Sequence, residues 1–311
     1  MKREILFSMP SPFRDDFKIQ GFRFGRGTPA LAIVGAMRGD EIQQQYICSQ
    51  MVRLLDKIEQ EGNLVSGNEV LIIPNANHFS MNIEKRFWAM DNTDINRMFP
   101  GYDQGETTQR IAAALFEKIK GYNFGIQLAS YYIPGDFIPH IRMMETGYQP
   151  EKEGALFGLP YVFVKHPHPY DTTILNYNWQ IWGTKAFSLY AGKKDIISEE
   201  CTREACRSIL RFMNQAGIIR QNVRSGYQST TITDESLVGV KAENAGIFYK
   251  QKGAREDVKQ GETLAQILDP YDGSVKLNIQ APVSGSIFFA HDKPLVLQNT
   301  LLYKIVKEEL E

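Results

Sequence analysis

The sequence predicts an α/β domain built on a mixed, mainly parallel β-sheet flanked by helices, followed by a small all-β domain. Three observations carry this reading. The apolar run 31–34, a helical-period segment and the apolar run 70–74 follow one another at the spacing of a βαβ unit, which pairs the two strands in parallel through a right-handed crossover. Helical periodicity disappears after about residue 226, where short strand-like runs alternate with Gly, Pro, Asp and Asn. The 311 residues, 43% of them hydrophobic, suffice for a large core and an appendage. The expected division is 1–225 for the α/β domain and 226–311 for the β domain.

Taken in order, residues 3–9 and 17–25 read as strands. The second alternates, Phe17-Lys-Ile-Gln-Gly-Phe-Arg-Phe, as a half-buried antiparallel strand should. Residues 31–34 form a buried strand, broken by Gly35 and Gly39. The turn that follows carries Arg38, Asp40 and Glu41. It lies at the carboxyl end of a strand and the amino end of a helix, where open α/β sheets build their sites. Ile47, Met51, Leu54, Leu55 and Ile58 keep helical spacing up to Gly62. Residues 70–74 form the next buried strand.

Residues 75–105 show little regular pattern. They contain Phe87, Trp88, Met90, Ile95, Met98 and Phe99, too many apolar groups for disorder. An ordered loop that packs on the body and lines a site is expected. A helix over 107–119 follows, then strands at 124–129, 137–144, 161–164 and 186–191. The aromatic segment 170–182 reads as core or as a pocket wall. Ser198 is placed to cap a helix, with Glu199 and Glu200 favourable to its dipole, and Gly217 stops that helix.

In the C-terminal part, strands are expected at 239–241, 246–250, 263–268, 275–280, 285–289 and 301–306. The stretches 258–267 and 281–287 resemble the halves of a barrel-sandwich, biotinyl/lipoyl-like fold. A carrier domain would present a lysine at the hairpin between them. This hairpin reads Asp269-Pro-Tyr-Asp-Gly273, so covalent cofactor carriage is not expected.

Net charge is -1 and the pI about 6.6, without the clustered basic excess of a nucleic-acid footprint. No apolar run approaches the roughly 20 residues that span a bilayer. The N-terminal residues do not read as a secretory signal. Cys48, Cys201 and Cys206 are an odd, sparse set and read as reduced thiols. A cytoplasmic protein without nucleic-acid or membrane partners is expected, with a homo-oligomer as the default assembly.

Two motifs carry a family resemblance. Arg38-Gly39-Asp40-Glu41 keeps the frame of a metal-binding turn. Downstream, Arg86 and Asp91 precede Asp94-Ile-Asn-Arg-Met-Phe-Pro-Gly101. Together they resemble the succinylglutamate desuccinylase/aspartoacylase branch of the zinc carboxypeptidase superfamily. The resemblance implies that family's α/β fold, a C-terminal β domain and hydrolysis of small carboxylate-bearing N-acyl amino acids or amides. It also implies that Asn96 and Arg97 bind the ligand carboxylate and that Arg86 polarises the scissile carbonyl. A guanidinium fork matches a carboxylate with two parallel hydrogen bonds.

The zinc half of the pattern departs from the family. Arg38 stands in place of the first histidine ligand, leaving Glu41 as the sole surviving ligand position. The strand that should end Asp-Leu-His ends Gln127-Leu-Ala129. Tyr190 stands where the family has its glutamate base. Catalytic zinc is normally held by three protein ligands, and without it a water keeps a pKa near 15.7. Zinc is therefore expected by family, yet absent or bound in another way. A relocated site would have to draw on His78, His140, Asp136 and Glu41, and the preferred reading of each histidine is ordinary hydrogen bonding. His291 is expected to be exposed. Arg38 and Glu41 are placed to pair, and Arg38 to help bind an anion. Two functions follow: a hydrolase, with Arg86 and Tyr190 as its catalytic candidates, or a non-catalytic protein that binds small carboxylates.

Overall fold

The computed structural model describes residues 1–308. The chain divides into two compact units. The first comprises Met1–Ser130 and His140–Thr231. The second comprises Tyr131–Pro139 and the residues from Ile232 onward.

In the first unit the strands are β1 (Lys2–Met9), β2 (Phe17–Gly25), β3 (Gly27–Ala36), β4 (Gly67–Asn75) and β5 (Phe124–Ala129). A short strand, β6 (Gly135–Phe137), belongs to the second unit. The first unit resumes with β7 (His140–Met144), β8 (Tyr161–Lys165), β9 (Lys185–Tyr190) and β10 (Thr230–Ile232) at its end. Its helices are α1 (Ile42–Gln60), α2 (His78–Met81), α3 (Thr107–Ile119), α4 (Glu151–Gly154), α5 (Leu175–Ile181) and α6 (Glu199–Gln215). Among the described residues the main sheet has nine strands, in the order β1-β2-β4-β3-β5-β9-β7-β8-β10. Its centre, β4-β3-β5-β9, is parallel. β1 and β2 join antiparallel on one side, and β7 is antiparallel to β9 on the other.

The central strands are apolar on both faces, as a sheet covered on both sides requires. Along β3, Leu31 and Ile33 enter one core with Ile47 and Met51 of α1 and Ile209 and Phe212 of α6. Ala32 and Val34 enter the other with Ile111 and Leu115 of α3 and Leu175 and Trp179 of α5. The two cores clamp β3 and hold the turn after it in a fixed place. Ser198 caps α6 as expected, its side chain accepting from the Cys201 N–H. Within 75–105 most of the chain is irregular, but it folds into α2 and a 3-10 turn at Ile95–Arg97. Trp88, Ile95 and Phe99 are buried there, which accounts for its apolar content.

The second unit contains β11 (Leu237–Lys241), β12 (Gly246–Lys250), β13 (Asp257–Val258), β14 (Thr263–Leu268), β15 (Val275–Gln280), β16 (Gly285–His291), β17 (Leu295–Val296) and β18 (Leu301–Lys307). They form two sheets, β11-β18-β16-β13 and β15-β14-β12-β17, with β6 adding to β16. Leu264, Ile267, Ile287, Leu302 and Ile305 lie in their shared core.

Three expectations are corrected. The strand foreseen over 137–144 is two strands in two different units, because Pro139 separates β6 from β7 and the chain crosses between units there. His291 is buried, at 4% exposure, with neither ring nitrogen hydrogen-bonded. It closes β16 opposite Gly135 of β6, a pairing far apart in sequence. The aromatic segment 170–182 is mixed: Trp179 is core, whereas Tyr170 and Trp182 are exposed. No helix among the described residues is long and apolar enough to cross a membrane.

Candidate functional site

The carboxyl ends of β3, β5 and β9 lie side by side. Val34 is the register partner of Gln127, and Ala129 that of Tyr190. The turn from Met37 to Glu41 and Ser130 follow directly from these ends.

Glu41 precedes α1 but its carboxylate does not cap that helix. It folds back on its own turn instead. Oε2 accepts the backbone N–H groups of Met37 and Arg38, both at 3.0 Å. Oε1 accepts the Ser130 hydroxyl at 2.6 Å and Arg38 Nη1 at 3.2 Å. A carboxylate offers about four acceptor positions, and these four donors take them. At 1% exposure, Glu41 has no water to compete with these partners.

Arg38 lies between two carboxylates. Nε and Nη2 donate to Asp94 Oδ2 at 3.1 and 2.9 Å, while Nη1 reaches Glu41. Burial alone would weaken its hold on the proton. The attraction of Glu41 and Asp94 outweighs that, and the guanidinium pKa is raised. The positive charge at this point is therefore permanent. Gly39 has no room for a side chain: a Cβ would lie 2.2 Å from the Lys85 carbonyl oxygen and 2.6 Å from the Met81 nitrogen. This close approach presses the turn against the 80–86 segment, where the Gly39 N–H donates to the Arg86 carbonyl at 3.1 Å.

Asp94 extends the network. Its Oδ1 accepts the Asn96 N–H at 3.1 Å and caps the Ile95–Arg97 turn. The Asn96 side chain in turn accepts from Gln127 Nε2 at 2.9 Å. Arg97 leaves the turn toward solvent, its side chain 42% exposed. Its Nη1 donates to the Tyr170 carbonyl at 2.7 Å and its guanidinium lies 5.4 Å from the Tyr170 ring centre. Arg86 Nη1 meets Asp40 Oδ2 at 3.3 Å, and Lys194 pairs with the same oxygen. Arg86 thus pairs with Asp40 of the turn.

At the end of β9, the Tyr190 hydroxyl accepts from Arg142 Nη1 at 2.9 Å. The His140 ring stacks on the Tyr190 ring at 4.8 Å and 7°. His78 stacks instead on Phe17, at 4.8 Å and 1°, and burial lowers its pKa. Asp136 belongs to the second unit. Among the described residues, no group of three or more His, Cys, Asp and Glu side chains could hold a metal ion.

The structure thus joins Arg38, Glu41 and Asn96 in one hydrogen-bonded network, with Arg97 on the same turn as Asn96 and Arg86 bonded to the backbone of the Arg38–Glu41 turn. Tyr190 sits at the neighbouring strand end. Ser130, Gln127, Arg142 and Lys194 were not foreseen. Gln127 opens the Gln127-Leu-Ala129 stretch and Ser130 follows it, and that stretch, notable for what it lacks, is the available signal. Arg142 and Lys194 arrive through long-range pairing that leaves no local pattern.

A sheet covered on both faces, with charged groups gathered beyond the carboxyl ends of its parallel strands, defines the class: an α/β scaffold whose candidate site lies at the strand ends, with a separate β unit. Residues 27–144 match the family model of the succinylglutamate desuccinylase/aspartoacylase catalytic domain. No curated protein matches the sequence. Among solved structures, a succinylglutamate desuccinylase/aspartoacylase from Rhodobacter sphaeroides superposes with a TM-score of 0.81 at 20% identity, over 98% of this chain and 96% of that one. The product-bound ectoine utilization protein EutE (DoeB) from Ruegeria pomeroyi gives 0.81 at 18% identity, over 99% and 95%. A succinylglutamate desuccinylase from a Silicibacter species gives 0.82 at 17%, over 98% and 95%. At these identities the likeness is one of fold.

The zinc of that family does not fit the residues present. Ala129 offers no ligand atom at the third position. Arg38 supplies a buried positive charge at the first. Glu41 has its acceptor positions filled by protein donors.

Proposed function

We propose that this protein binds a small carboxylate-bearing N-acyl amino acid or amide on a desuccinylase/aspartoacylase scaffold, without zinc. Asn96, Arg97 and Arg86 receive the anionic ligand, and Arg38 supplies the fixed positive charge at the strand ends. The observation that carries this reading is the saturated Glu41 carboxylate beneath a buried guanidinium. Arg38, Arg86, Arg97, Arg142 and Lys194 outnumber Asp40, Glu41 and Asp94 here, an excess of positive charge that favours an anion. Three of the five Arg38 N–H donors are committed to protein acceptors, leaving two for a ligand oxygen.

One observation supports a second reading, metal-free hydrolysis. The Tyr190 hydroxyl, held at 2.9 Å by Arg142, stands where the family has its base. A phenol so placed is within the repertoire of general acid–base groups.

The test is a thermal-shift and calorimetric titration with succinate and N-acyl amino acids, beside elemental analysis and a turnover assay in chelator. Saturable stabilisation by a carboxylate, lost in Arg97→Ala, supports binding. At 100 times Kd the stabilisation is about 2.7 kcal/mol. Chelator-resistant turnover that is lost in Tyr190→Phe supports the second reading. Stoichiometric zinc with turnover abolished by chelator overturns both.

A further inference from the structure

We infer that Arg38 is a built-in cation that does, from within the chain, the assembly work a bound metal ion would do at this site. Its guanidinium joins two carboxylates from separate segments: Glu41 on the turn before α1, and Asp94, 56 positions away from Arg38 in sequence. Both carboxylate side chains are nearly buried, at 1% and 9% exposure. Without Arg38, the buried Glu41 would keep only neutral donors, from the Met37 and residue-38 N–H groups and Ser130, and Asp94 only the more distant Arg97 Nε at 3.8 Å, which leaves buried charge poorly compensated. With it, each is neutralised by a directional bond.

The consequence reaches the ligand turn. Arg38 fixes Asp94 Oδ2, Asp94 Oδ1 fixes the Asn96 N–H, and Asn96 is held again by Gln127. Arg97 is the next residue on that turn. Arg38 is thus a positioning residue for Asn96 and Arg97. Its planar fork is what the geometry uses, since Nε and Nη2 both meet one carboxylate oxygen while Nη1 turns to the other carboxylate. A lysine supplies the charge but cannot span both partners in this way. The effect on ligand affinity rests on the anion-binding reading above; the structural effect does not.

The experiment compares the unaltered protein, Arg38→Ala and Arg38→Lys by thermal unfolding. Guanidinium chloride at low millimolar concentration, ammonium chloride at equal ionic strength, and zinc followed by chelator are added in separate series. Arg38→Ala should unfold on the order of 10 °C lower. Guanidinium should recover part of that loss and ammonium should not. Arg38→Lys should fall between the two proteins and gain nothing from guanidinium, because its own amine fills the space. If Arg38→Ala does not fold, the lysine variant and the zinc series carry the test. Zinc should leave the unaltered protein unchanged. The inference is overturned by an unshifted Arg38→Ala, by equal action of guanidinium and ammonium, by an Arg38→Lys as stable as the unaltered protein, or by a zinc-induced, chelator-reversible rise in the unaltered protein. If the structural results hold while no carboxylate binds, only the ligand assignment fails.

Discussion

Gln127 Nε2 donates to Asn96 Oδ1 across 2.9 Å and so ties the end of a central strand to the turn that carries Arg97. Both side chains are buried, at 3% and 7% exposure. Gln127→Ala leaves the Asn96 oxygen without its donor, a loss of about 1–3 kcal/mol. Denaturant titration should show that loss, and calorimetry should show weaker carboxylate binding. Retained affinity would mean that Asn96 needs no such support.

Ser130→Ala removes one of the four donors to Glu41. The acceptor is a buried carboxyl group paired with Arg38, so the cost should reach about 1.5–3 kcal/mol. A chemical-denaturation midpoint close to that of the unaltered protein would show that another donor takes the hydroxyl's place.

Gly39→Ala forces a Cβ into backbone atoms of the 80–86 segment. Rigid backbone cannot yield as a flexible side chain would. The substitution should destabilise by about 3 kcal/mol or more and displace Arg86. A soluble Gly39→Ala protein with an unchanged melting temperature would contradict the packing described.

Burial lowers the pKa values of His78 and His291 from an ordinary 6.5. In the unfolded chain both take a proton near that value, while in the folded chain they resist it. Stability is therefore full above about pH 6.5 and declines as pH falls through that value toward the lowered folded one. Glu4 and Glu59, whose pKa values are lowered from 4.5, act only in a more acidic window. Melting temperatures measured between pH 7.5 and 5 should fall, and His291→Phe, which cannot titrate, should flatten the curve. A curve that rises on acidification would contradict the assignment.

Burial raises the thiol pKa values of Cys48 and Cys206, the latter to about 12. Neither forms thiolate near neutrality, and both are shut off from solvent. Cys201 is partly accessible. A thiol reagent applied to the native protein should label Cys201 first, as peptide mass spectrometry would show. Labelling of Cys48 at a comparable rate would contradict the burial.

Where the sequence carries a local period, it was readable. The alternation of residues 17–24, the apolar runs of β3 and β4 and the spacing of Ile47, Met51 and Ile58 each follow from a neighbour rule, and each became the expected element. The Arg38-Gly-Asp-Glu41 turn and the Asp94–Arg97 motif were legible as sequence, and the structure brings them into one network. The saturation of Glu41 was not legible, since it depends on Ser130, 89 positions away. Likewise Arg142 reaches Tyr190 only because β7 turns antiparallel to β9. The burial of His291 depends on β6, a three-residue strand from the middle of the chain that no period announces.

That same strand limits how the protein can be dissected. β6 hydrogen-bonds to β16, so the β unit is completed by a loop threaded out of the middle of the chain. A stop codon placed after residue 231 would delete β16 and leave β6 with an open row of amides, an invitation to aggregate. Expressed alone, the C-terminal segment would have the mirror defect, lacking the edge that covers Phe289 and Ala290. Each half should therefore fail to stand alone in solution, and a surviving fragment would need both the tail and the inserted loop.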